Sequence, residues 1–433
     1  MTRNLRSHSL TLTEAAEALA EGQLTAVELA AAQLARVRTT DAAVCAWETL
    51  DPEHVLREAA RWDAASDAAA LGGIGIGVKD IIATTDLPTT MGSPIFAGHR
   101  PTSDATCVAR LRAAGAFVFG KTVTTPFAFM DPGKTRNPWD PAHTPGGSSS
   151  GSAAAVAVGH VAGAIGTQTN GSVIRPAAYC GVVGFKPTLN AIPTQGVNPF
   201  SETLDTVGTF TRTVEDAARL ASALADAGRI AGTLAPRVRA PRFAYLSAFP
   251  RTANDPGADA VIKSVVAQLR TRAEVVPIDI PAPWHDGKSA LRTIMLHEAA
   301  RNLGELQQRE RARMSPAVNA ALDEGRTISA GAYEDARSWR ERAIAFFTQW
   351  LDGFDAVLAP SAPGAAPRGL ATTGDPSCCT LWSLLGFPAI SLPVGRFEQM
   401  PVGLQLAAPQ DCDDSLLAVA AWCGARLSFR GLV

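Results

Sequence analysis

Residues 145–187 confine the possible folds of this chain more than any other stretch. Two serine-in-glycine nests, Gly146–Ser152 and Thr169–Ser172, flank a run of small apolar residues, Ala153–Ile165. Glycine permits positive φ and close backbone approach. Serines set among glycines can therefore turn their hydroxyls and the neighbouring N–H groups onto one small object. The run between them reads as a small-faced helix over Ser152–Val161, able to pack tightly at the centre of a domain. One site built from both ends of that helix is the expectation. A flexible Ser/Gly linker would not carry VAVGHVAGAIG and CGVVGFKP on its flanks.

The rest of the chain supplies a large α/β frame. With 433 residues, 46% of them hydrophobic, it can bury a sizeable core. Leu71–Val78 and Ala116–Gly120 read as strands separated by a helical Thr102–Ala114, an alternation that argues for a sheet covered by helices. Further strands are expected at Phe243–Ser247, Val275–Ile280 and Phe354–Pro360, with Ala389–Val394 and Val402–Ala407 as a closing pair. Helices are expected over 11–37 (two of them, the second opened by a Thr25/Glu28 capping box), 51–70, Val214–Ala227, most of 286–350 and Asp413–Gly424. Residues 228–241 read as a polar surface loop. A net charge of −2 offers no basic surface to nucleic acid, and no apolar run reaches the ~18–20 residues of a membrane span. The N-terminus lacks the apolar core of a signal peptide. The seven cysteines show no zinc-site spacing and read as reduced thiols. Together these point to a cytoplasmic protein without metal, nucleic-acid or membrane partner.

Three side chains carry chemistry: Lys79, Ser148 and Ser172. A serine hydroxyl is a weak nucleophile and needs a base. None of the seven histidines lies in a glycine-rich or strand-end setting, whereas Lys79 ends an apolar β run. Lysine is a base only when neutral. From a free pKa of ~10.4, a poised base requires a fall of ~3 units, worth ~4 kcal/mol. Burial without a carboxylate partner shifts it that way. A second serine relaying the proton makes Ser–Ser–Lys a complete path without histidine.

The run GGSSSGSAAAVA…GTQTNGSVIRPAAYCGVVGFKPT resembles the signature of the amidase-signature family. GVKD at Gly77–Asp80 resembles that family's lysine motif, TLDTVG at Thr203–Gly208 a further one, and GFPAISLPVG with PVGLQLAA its C-terminal strands. The likeness spans nearly the whole chain. It implies a single α/β domain over 1–433, with a central twisted mixed sheet flanked by helices on both faces and the 286–350 region shaping a pocket wall. It implies amide hydrolysis through an acyl-enzyme, with Ser172 as nucleophile, Ser148 as a bridging serine on a cis peptide after Gly147, and Lys79 as base. The N–H groups of Thr169, Asn170, Gly171 and Ser172 match the family's oxyanion turn. Ser150 and Thr167 are expected to support the triad by hydrogen bonds.

Departures from the family's commoner GTDTGGSIRxPA refine the expectation. Asp is replaced by Gln168 and the first Gly by Asn170, and Asn tolerates left-handed φ better than most residues. Arg175 stands three residues after Ser172 rather than two, as in a malonamidase-like branch. It either points at the pocket, binding a substrate carboxylate bidentately, or pairs an acidic residue in the scaffold. The reading is therefore an amidase that releases ammonia from a small amide, carboxylate-bearing if Arg175 faces the pocket, with no cofactor and a homodimer as the common oligomeric state. The alternatives are a hydrolase of a urea- or biuret-like compound, a transamidation subunit feeding ammonia to a tRNA-bound glutamate, and a non-catalytic binding module. Ser149 also fits a GxSxG elbow, but no strand precedes it. His143, His297 and Glu298 are expected to be loop or solvent-facing groups, and Asp205 to hold a turn.

Overall fold

The computed structural model describes residues 4–65, 69–234 and 239–433. Its strands form one sheet. In chain order they are β1 (Trp47–Thr49), β2 (Gly75–Lys79), β3 (Phe117–Thr122), β4 (Ala164–Gln168), β5 (Val183–Lys186), β6 (Thr206–Thr211), β7 (Arg242–Tyr245), β8 (Glu274–Pro277), β9 (Ala356–Pro360), β10 (Ala389–Phe397) and β11 (Met400–Ala407). Across the sheet the order is β1-β3-β2-β4-β6-β5-β10-β11-β9-β7-β8. β2 runs parallel to β3 and β4, and β7 runs parallel to β8 and β9. The remaining pairs are antiparallel, so the sheet is mixed.

The central strands β2, β3, β4 and β6 are buried along their whole length. That explains their near-continuous apolar or small-residue text, since a strand covered on both faces has no reason to alternate. Helices cover the sheet. The Ala26–Val44 helix opens with the expected Thr25/Glu28 capping box, and Val214–Leu224 is capped by the Thr213 hydroxyl. The closing pair of strands and the final helix Asp413–Gly424 stand where the text placed them. The 51–70 stretch gives a helix over Pro52–Ala64, its continuation lying partly outside the described residues. The 228–241 loop also lies partly outside them, and its described parts are turns and bends.

One expectation is corrected. The small-residue run is not one helix. It is helical only over Ser150–Ala157, turns at Gly159 with φ +73°, and re-enters the sheet as β4. The second nest therefore sits at the C-terminal end of a parallel strand, the usual place for a ligand crevice in an α/β sheet. The Ser150–Ala157 helix is buried at every position. Residues 287–350 form the helices Gly287–Glu310, Pro316–Thr327 and Ala330–Trp350. The first packs Leu291, Ile294 and Met295 into a cluster with Phe127, Phe200 and Leu204, beside the loop that carries Asp205.

Candidate active site

Register brings the site together. Val78 on β2 pairs with Ile165 on β4, so Lys79 and Thr167 leave the same edge of neighbouring parallel strands. Lys79 Nζ lies 2.7 Å from Thr167 Oγ1 and 2.7 Å from Ser148 Oγ. Among the described residues the ammonium has no carboxylate in contact. Burial pushes its pKa down to about 7, opposed by the charge of Asp205.

Ser148 follows Gly147 through a cis peptide. Both carbonyls of this turn are held. Arg175 Nη2 donates to Gly147 O at 2.6 Å, and Thr125 N–H donates to Ser148 O at 3.2 Å. Gly146 takes φ +80°, a conformation open to glycine. Accessibility rises along the three residues: Lys79 is 0% exposed, Ser148 2% and Ser172 9%. The sealed end is the amine and the open end is Ser172. Ser172 Oγ has no hydrogen-bond partner among the described residues, so the Ser148–Ser172 link is not closed by a hydrogen bond. Hydrogen bonds of this kind commonly tighten only with substrate bound.

The second nest is a backbone turn fixed by its neighbours. Gln168 Oε1 accepts the N–H groups of Val173 at 2.8 Å and Ile174 at 3.0 Å, capping the helix Ile174–Cys180. Thr169 donates its hydroxyl to Asp205 at 2.5 Å. The other Asp205 oxygen accepts the N–H groups of Phe200 at 2.8 Å and Ser201 at 2.9 Å, the turn-holding role expected of it. Burial raises the Asp205 pKa to about 6. Among the described residues, the N–H groups of Thr169, Asn170, Gly171 and Ser172 find no protein acceptor. Four adjacent free donors beside a serine hydroxyl can stabilise an oxyanion.

Arg175 is buried, but it pairs no acidic residue among the described residues, which removes the scaffold ion pair as its role. Its Nη2 holds Gly147 O and reaches Thr373 Oγ1 at 3.1 Å. Its Nη1 sits 3.4 Å from where a Cβ on Gly171 would be, and its Nε is buried without a partner. Burial lowers its pKa.

Ser150 does not support the triad: its hydroxyl donates to Val123 O at 3.4 Å. Ser149 takes the place next to Thr167, donating to Thr167 O at 3.1 Å and accepting Thr167 N–H at 3.2 Å. That buried, fully committed hydroxyl is no nucleophile, and the elbow reading falls. Glu298 is not solvent-facing. It is buried and accepts from Ser201 Oγ at 2.5 Å, Thr203 Oγ1 at 2.5 Å and Tyr333 OH at 2.6 Å. Burial opposes these bonds, yet together they hold its carboxyl below the usual range. His297 stacks on Tyr333, with ring centroids 4.3 Å apart. His143 sits 3.0 Å from Asp140 in its loop. Among the described residues no group of three His, Cys, Asp or Glu side chains could hold a metal ion.

Residues 28–417 match the family model described as Amidase. The chain belongs to the amidase-signature family. Among curated relatives of this amidase-signature enzyme is the glutamyl-tRNA(Gln) amidotransferase A subunit from Symbiobacterium thermophilum, 34% identical, covering 92% of this chain and 93% of its own. A crystal structure of an amidase superposes with TM-score 0.89 at 30% identity, over 97% of this chain and 100% of the other. The peptide amidase of Stenotrophomonas maltophilia superposes with TM-score 0.84 at 28% identity, over 99% of both chains. Among the described residues no helix is long and apolar enough to cross a membrane.

Proposed function

We propose that this amidase-signature enzyme hydrolyses the C–N bond of a small amide, releasing ammonia and a carboxylate through an acyl-enzyme on Ser172. The observation that carries the reading is the sealed amine of Lys79, 2.7 Å from Ser148 and without a carboxylate contact among the described residues. When neutral, its nitrogen has two N–H bonds and one lone pair. Thr167 Oγ1 accepts one N–H, which leaves the lone pair for the Ser148 proton. Ser148 then takes the Ser172 proton as Ser172 attacks the carbonyl, and the same path returns a proton to the leaving nitrogen. The N–H groups of Asn170, Gly171 and Ser172 receive the oxyanion, with Thr169 anchoring their turn to Asp205. Water completes the second half-reaction by the same relay.

The free side of Arg175 favours a substrate with a carboxylate near the amide. The Arg175 guanidinium pairs no acid among the described residues, feels Asp375 only through its charge, and sets one nitrogen against Gly171, the residue before the nucleophile. Ammonia release from a panel of small amides, with and without a carboxylate, tests the whole reading. Wild type should turn over the carboxylated members best, and Ser172→Ala should turn over none. Arg175→Met should raise KM for carboxylated amides specifically. An equal fall in kcat/KM for both kinds would leave Arg175 only its grip on Gly147.

The similarity to amidotransferase A subunits favours a second reading, in which the ammonia serves a partner's transfer reaction. Amide hydrolysis by the isolated chain supports the first. Hydrolysis that appears only with an added partner protein supports the second. The first reading carries with it one domain over 1–433, a cytoplasmic setting, no cofactor and homodimer formation as the oligomeric state to test for.

A further inference from the structure

The helix Ser377–Leu385 lies against the second nest, and two of its hydroxyls reach Asn170. Ser383 Oγ lies 2.5 Å from Asn170 O and 2.9 Å from Gln168 Nε2; Thr380 Oγ1 lies 2.8 Å from Asn170 Oδ1. The direction of every proton in the Gln168–Ser383–Asn170 chain is forced. The backbone donors of Val173 and Ile174 both point at one oxygen of the Gln168 amide, so the other end must be NH₂. That NH₂ donates to Ser383, and the single Ser383 proton is left for the carbonyl of Asn170. Gln168 and Ser383 are buried, so neither has water as a substitute partner.

We propose that Ser383 is a positioning residue for the oxyanion site, acting through the Asn170–Gly171 peptide. A trans peptide is planar, with its C=O and N–H on opposite sides. A hydroxyl that holds Asn170 O toward the Ser377–Leu385 helix therefore turns Gly171 N–H the other way, to the side where it meets no protein acceptor among the described residues. The family's more frequent Asp and Gly at positions 168 and 170 cannot build this chain, because a carboxylate has no N–H to give Ser383. Gln168 thus does two jobs at once: its oxygen caps the helix after the nucleophile, and its nitrogen orients the hydroxyl that aims the oxyanion donor.

This inference rests on Ser172 being the nucleophile, and its test separates the two claims. The probe is a fluorophosphonate, whose tetrahedral phosphorus develops negative oxygen as it reacts with serine. Wild type should be labelled at Ser172, and Ser172→Ala should not; labelling elsewhere or not at all overturns the functional reading. Given labelling at Ser172, Ser383→Ala should lower the limiting inactivation rate about tenfold, less than the ~10²–10³ for deleting an oxyanion donor outright. The half-saturating probe concentration should stay within about twofold. Ser383→Cys, a weaker donor in nearly the same volume, should fall between, and it decides the matter if the alanine variant does not fold. Equal inactivation rates in wild type and variants, or a change confined to half-saturation, would overturn the positioning role and leave the functional reading untouched.

Discussion

At the scale of single residues, the proposed relay depends on Lys79 being sealed from water with no carboxylate in contact among the described residues. Its pKa of about 7 comes from burial, with Asp205 pulling the other way. The base is active only when neutral, so kcat/KM should rise with pH through about 7 and level off above it. Asp205→Asn removes the opposing charge. Lys79 would then lose its proton more easily, and the rising limb should move to lower pH in a steady-state pH profile; an unmoved limb would show that Asp205 only holds its turn. Lys121 makes the contrast clear. It is equally buried, but it lies 3.4 Å from Asp80 and donates to Ile82 O and Thr89, so it has no role as a base despite a pKa of about 8. The meeting of Lys79 with Ser148 and Thr167 is legible in the text because each stands in a local motif. Ser383 is not, because it meets Gln168 across 215 residues and nothing near it marks that contact.

At the scale of elements, the site hangs on the close approach of the Ser150–Ala157 helix to the sheet. A Cβ on Gly151 would lie 2.3 Å from Ala46 O and 2.4 Å from Val123 N, both backbone atoms with nowhere to go. Gly151→Ala should therefore cost at least the ~1–3 kcal/mol typical of overpacking, seen as a lower urea midpoint. A midpoint equal to wild type would contradict this packing. The long strands at the chain's end are readable because β10 and β11 are apolar runs separated by a short turn. The start of β4 merges with the helix before it in the text, because Ala, Ile, Gly and Thr in a fully buried segment give neither alternation nor a helical stripe. Only the glycine turn at Gly159, seen in three dimensions, divides helix from strand. Glu298 reads as solvent-facing for a related reason. In a charged helix its partners Ser201 and Thr203 come from a loop almost a hundred residues earlier, and no local pattern announces them.

At the scale of the molecule, three lysines are fully buried, and burial lowers each one: Lys79 and Lys186 to about 7, Lys121 to about 8. In the unfolded chain they titrate near ~10.4. Between about 7 and about 10 the unfolded state therefore holds more protons than the native state, and stability rises with pH across that window. Below about 7 both states are protonated and the burial penalty stands in full. The urea midpoint should be higher at pH 8.5 than at pH 7, and Lys186→Met should show a smaller rise. A fall over that interval would mean that these amines keep their protons in the folded protein. The family resemblance makes the mixed sheet and its helical cover predictable as a class. The strand order cannot be read from the text, because it depends on crossovers between elements far apart in sequence.

The claim on which the rest depends is that an uncharged Lys79 draws the proton from Ser172 by way of Ser148. Its most direct measure is the pH dependence of fluorophosphonate acylation at Ser172, in wild type and in Lys79→Met. Wild type should gain rate with a single ionisation near pH 7. Lys79→Met should be slower by at least about a hundredfold, the lower range for general-base catalysis, and flat across the same range. A Lys79→Met profile with the wild-type rate and the same inflection would contradict the claim outright.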